Sequence, residues 1–94
     1  MKHLNLKKAV EKFAKIEQYE HGKCPAYRAK CNGYIISWHI PYYTPDEASC
    51  VRVYHENDKD DICSDYFAGS FYDTIKSAVN ALTYNLRKGE ILYD

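Results

Sequence analysis

Apolar residues recur along this chain with two different periods, and the change of period divides it into elements. From Leu6 the apolar positions Ala9, Val10, Phe13 and Ile16 follow at helical spacing among Lys7, Lys8, Lys12 and Lys15. That pattern predicts an amphipathic helix of about four turns, capped by Asn5 and stopped by Gly22 with Pro25 just beyond. From Tyr27 the period drops to two. The dipeptide Asn32-Gly33 interrupts the alternation, and it tolerates the positive φ that both central positions of a type I′ turn require, so a β-hairpin is predicted. A two-residue turn fixes register, pairing Cys31 with Tyr34, Ala29 with Ile36 and Tyr27 with Trp38. Those six residues and Ile40 then share an apolar face, leaving Arg28, Lys30, Ile35, Ser37 and His39 on a polar, basic one.

Residues 49–55 alternate again, with Val51 and Val53 on one side and Cys50, Arg52 and Tyr54 on the other, which predicts a third strand. The polar run from Glu56 to Asp61 is a turn, and Ile62 to Ala68 is a candidate fourth strand. Ser70 and Asp73 are candidate caps for a second helix whose stripe is Ile75, Ala78, Val79, Leu82 and Leu86, with Arg87 and Lys88 at its negative end and Gly89 to stop it. The order α-β-β-β-(β)-α predicts a two-layer α+β domain over residues 1–94, with two helices packed on one face of a three- or four-stranded antiparallel sheet. The other face is open, and the valine register places Arg28, Lys30, His39, Arg52 and Tyr54 on it.

Composition adds a second theme. Ten of the ninety-four residues are tyrosine, and seven of them lie between Tyr27 and Tyr72 with Trp38, Phe67 and Phe71. A domain of this length buries only about 60–65% of its unfolded surface, so some of these rings must remain outside. Exposed tyrosines, apolar in body and polar at the tip, are the material of recognition surfaces. The preferred anchor is Pro41-Tyr42-Tyr43-Thr44-Pro45, where two prolines stiffen the loop and two adjacent rings cannot both turn inward.

Thirteen basic residues balance thirteen acidic ones. Up to His55 there are nine Lys/Arg against five Asp/Glu, and from Glu56 onward four against eight, so opposite charges are expected on different surfaces. Asp58, Asp60 and Asp61 supply a local acidic patch. No apolar run is long enough for a signal core or a membrane span, which gives the expectation of a cytoplasmic protein with no membrane partner. Cys24, Cys31, Cys50 and Cys63 then read as reduced, mostly buried thiols.

Chemistry-bearing patterns are sparse. The cysteine spacings contain no C-x2–4-C knuckle, so no metal is expected. No nucleophile elbow surrounds a serine or cysteine, the acidic run lacks the glycine and distal glutamate of a calcium loop, and the four glycines form no phosphate loop. The expectation is a chain that is not an enzyme and takes no cofactor.

The element order resembles the double-stranded-RNA-binding fold. That family grips phosphates with lysines at the start of its second helix, whereas Ser70-Phe71-Tyr72-Asp73-Thr74-Ile75-Lys76 holds one lysine and an aspartate. In size, two-layer build and lack of catalytic motifs the chain resembles the small accessory proteins of bacteriophages and other mobile elements, the anti-CRISPR and other anti-defence inhibitors. That resemblance implies a stoichiometric inhibitor that covers a Cas-type nucleoprotein effector and blocks DNA binding or nuclease recruitment. The second reading is a nucleic-acid-binding or regulatory domain using the basic and aromatic open face. A Tyr-rich face or edge strand is also material for a homodimer.

Overall fold

The computed structural model describes residues 1–57 and 69–87. Helix α1 (His3–Glu11) leads into strands β1 (Ile16–His21), β2 (Cys24–Cys31), β3 (Tyr34–His39), β4 (Ser49–His55) and β5 (Gly69–Phe71), and helix α2 (Ile75–Leu82) and a short turn of helix α3 (Tyr84–Arg87) follow. The five strands form one antiparallel sheet in sequential order. Both longer helices lie on the same face, their buried Leu6, Ala9, Val10, Ala78, Val79 and Leu82 meeting Ala29, Ile36, Trp38, Val51 and Val53 from the sheet. The fold is α+β in two layers.

The Asn32-Gly33 hairpin has the expected geometry. Asn32 and Gly33 both have positive φ (48° and 86°), and Cys31, Ala29 and Tyr27 pair with Tyr34, Ile36 and Trp38. The segment before it differs from expectation. The first helix closes at Glu11, where Phe13 and Ala14 both donate backbone N–H groups to the Val10 carbonyl. Ile16 opens a strand, not a fifth helical position, and Gly22 (φ 63°) supplies the first central residue of a hairpin turn between His21 and Cys24. A β-branched residue three positions after Phe13 satisfies either period; pairing with β2 decides between them, setting Ile16 opposite Ala29 and against the core.

Three further expectations change. Asn5 does not cap α1: the cap position is Lys2, without a side-chain bond, and the His3 N–H instead donates to the Asp46 carbonyl at 2.8 Å. The α2 cap is Thr74, whose Oγ1 accepts from the Ser77 N–H at 3.1 Å, since Ser70 is taken up in β5. Leu86 is exposed because α2 ends at Leu82, where Thr83 Oγ1 donates to the Val79 carbonyl at 2.8 Å. The candidate strand from Ile62 to Ala68 and the stop at Gly89 lie outside the described residues.

Two local features position the exposed surfaces of the fold. The register of β3 against β4 shifts between Ser37 and His39, so Cys50 and Val51 together oppose Trp38. This is a β-bulge, and Cys50 takes its strained conformation at φ 56°. The second feature is Trp38, 2% exposed, whose indole Nε1–H donates to His3 Nδ1 at 3.0 Å while Tyr27 stacks on the indole and lies tilted against the imidazole. His3 must therefore be neutral with its proton on Nε2.

Two outcomes are expected in denaturant titrations. His3→Ala removes the acceptor of a buried donor and costs about 1–3 kcal/mol. Burial, with Lys7 second, depresses the His3 pKa below 6.5, and burial, with His21 second, does the same for His39. The unfolded chain therefore takes up protons first, and the stability these residues contribute is complete above about pH 6.5 and lost as pH falls from there toward the folded values. His3→Ala flattens that fall; an unchanged pH profile contradicts the assignment. Cys50→Gly leaves stability unchanged or raises it, whereas Cys50→Val lowers it by about 1–2 kcal/mol, because a β-branched side chain tolerates positive φ least.

Candidate functional site

Two surfaces stand out, and the residues expected to act together divide between them. The first is the connection from β3 to β4. Its ends are anchored: Ile40, Pro41 and Ala48 are buried, and the Ile40 N–H donates to the Pro25 carbonyl at 2.9 Å. Two turns fold its middle, through Thr44 N–H to Pro41 carbonyl at 3.1 Å and Glu47 N–H to Thr44 carbonyl at 3.0 Å. The N-terminal segment clamps it further. Glu47 bridges to Lys2, the Ala48 N–H donates to the Met1 carbonyl at 3.0 Å, and Glu47 lies 3.0 Å from the Met1 amino group.

On this fixed base Tyr42 and Tyr43 stand 85% and 72% exposed, edge to face with centroids 5.3 Å apart. Neither turns inward. Beside the loop, Lys2, Leu4, Asn5, Pro45 and Asp46 line an open groove of about 390 Å³. Leu4 is 65% exposed there. Sequence reasoning passed it over, because Leu4 lies off the buried stripe of α1 and a single exposed leucine carries no signal of its own.

The second surface is the sheet face away from the helices. One row of paired residues crosses all five strands: Glu17, Arg28, Ser37, Arg52 and Phe71. A second runs Tyr19, Ala26, His39 and Ser49. Small Ala26 and Ser37 lie between large neighbours, so the face is dished, and Tyr19, His21, His39, Cys50, Arg52 and Phe71 are among the walls of a groove of about 300 Å³. The imidazoles of His21 and His39 lie 5.3 Å apart.

The cations on this face differ in their company. Arg28 pairs with Glu17 at 2.9 Å and lies over the Tyr19 ring at 4.6 Å, and Lys30 pairs with Glu56 at 3.2 Å. Arg52 donates from Nε to Ser37 Oγ at 3.3 Å and lies over the Tyr54 ring at 4.8 Å. Among the described residues no carboxylate pairs with it. Tyr54 shares this face as expected but is only 7% exposed, so it is the platform beneath Arg52, not a contact residue.

Asp58, Asp60 and Asp61, read as an acidic patch, lie outside the described residues, as does Cys63. The thiols depart from the mostly buried set expected: Cys31 is buried in the core, Cys24 is half-buried and Cys50 is exposed at the open-face groove. Among the described residues, no three His, Cys, Asp or Glu side chains converge as metal ligands would. No described helix is long and apolar enough to cross a membrane. No protein-family model matches the chain, and neither a curated protein nor a solved structure matches it.

The thiols give a check on this geometry. Burial raises the Cys31 pKa, which adds low thiolate content to poor access. With a colorimetric disulfide reagent at neutral pH, Cys50→Ser diminishes the fast phase and Cys31→Ser leaves it unchanged; the reverse result contradicts the assignment of faces.

Proposed function

We propose that this chain is a non-enzymatic protein-binding module anchored by Tyr42 and Tyr43. One observation carries the reading: two adjacent tyrosines are exposed at 85% and 72% on a connection held at both ends by buried residues and backbone bonds. Solvent gives no reason to hold two large rings outward on a braced loop. A partner does, because aromatic rings fixed before binding bury much area while losing little conformational entropy. The groove past Leu4 and Pro45 extends the apolar surface, and Lys2 and Asp46 give its rim both signs of charge. Such a mixed rim suits a folded protein better than a polyanion.

The specific form we propose is a stoichiometric inhibitor of a bacterial nucleoprotein defence effector of the CRISPR-Cas type. It rests on the resemblance in size and build to anti-defence proteins; the protein-binding reading does not depend on it. The test is affinity capture from a bacterial lysate containing active defence complexes, with and without nuclease, using the unaltered chain and the Tyr42→Ala/Tyr43→Ala variant. A nuclease-resistant protein partner that the double variant loses, at least tenfold, without a change in its unfolding midpoint is the expected result. Equal retention by the double variant overturns the anchor.

A further inference from the structure

We propose that the groove on the open face of the sheet is a second, separate site, which takes one unit of single-stranded nucleic acid, its phosphate on Arg52 and its base on Phe71. The sheet register builds it. Arg52 and Phe71 are direct partners across β4 and β5, so a cation and an aromatic ring stand side by side on one row. The next residue on that row, Ser37, is small and accepts from Arg52 Nε, and the buried Tyr54 ring supports the guanidinium from below. With Nε committed to Ser37, the terminal guanidinium nitrogens remain for an oxyanion, and two donors on a planar group match a phosphate.

Charge selects the ligand. Arg28, Lys30 and Lys2 each have a carboxylate partner, whereas Arg52 has none among the described residues. Among the described residues no Asp or Glu lines the groove, while Arg52 and the imidazoles of His21 and His39 do. With Arg52 in the wall and no carboxylate opposite it among the described residues, the groove favours an anion. The aromatic neighbours decide which anion. Phe71 is half-exposed and Tyr19 forms part of the opposite wall, so a flat ring attached to the phosphate finds a stacking surface. A volume of about 300 Å³ lies at the small end of ligand sites and suits one nucleotide unit, not a duplex.

None of the residues lining the groove beside the tyrosine loop lines this one, so the two sites are testable apart. The experiment is fluorescence polarisation of a short labelled single-stranded oligothymidylate with the full chain, with unlabelled duplex and a tyrosine-phosphorylated peptide as competitors. Single-strand binding that weakens as salt rises, with Arg52→Gln and Phe71→Ala each lowering affinity about tenfold and Tyr42→Ala/Tyr43→Ala leaving it unchanged, supports the site. Binding that survives both groove substitutions overturns it, as does no binding, equal affinity for duplex, or binding of the phosphopeptide in preference to the oligonucleotide. Titration of the unaltered protein followed by NMR guards against misfolded variants: the amides of His39, Arg52 and Phe71 shift on addition of oligothymidylate, and shifts confined to other strands contradict the assignment.

Discussion

The buried contact between Trp38 and His3 sets the arrangement of everything around it. An indole of this size brings large apolar area into a small core, but its N–H needs an acceptor once water is removed. His3 supplies that acceptor from the first turn of α1. The helix is thereby located on the sheet by a directional bond, in addition to the non-directional packing of Leu6, Ala9 and Val10. Because His3 also donates its backbone N–H to Asp46, the same residue holds the connection between β3 and β4. Position in the core is passed in one step to the loop that carries Tyr42 and Tyr43, and a surface with few contacts of its own acquires a fixed shape.

The open face follows from the complementary constraint. Helices cover one side of the sheet, so alternate residues on the other side need satisfy only one another and water. On that side the long side chains pair with carboxylates or lie across rings, and Ala26 and Ser37 leave a hollow between them. The bulge opposite Trp38 serves both layers: it keeps Val51 in the core while turning Cys50 outward to the rim of the hollow. A single extra residue in β4 thus reconciles a bulky core side chain with the continuation of the strand.

How much of this was legible in the sequence depended on whether the deciding interaction was local. Asn32-Gly33 fixed a turn, the turn fixed a register, and the register assigned faces across β2 and β3 correctly. The same alternation placed Arg52 with Arg28 and His39. The stripe of α2 as far as Leu82 was equally plain, because spacing alone defines it. By contrast, β1 was hidden, since Ile16 fits a helical period and only pairing with β2 makes it a strand. Tyr19 and His21 were lost with it, and with them the far wall of the groove. The bulge arises from the pairing of segments distant in sequence, and neither it nor the burial of Tyr54 is encoded by period or composition.

A Tyr42–Tyr43 anchor requires a loop that is rigid before any partner arrives. Backbone ¹⁵N relaxation of the free protein measures this directly on the fast timescale. Order parameters at Tyr42 and Tyr43 close to those of the central strands, about 0.85, are expected, with a fall at both positions in His3→Ala. Values below about 0.6 in the unaltered protein, with the strands remaining rigid, would contradict it.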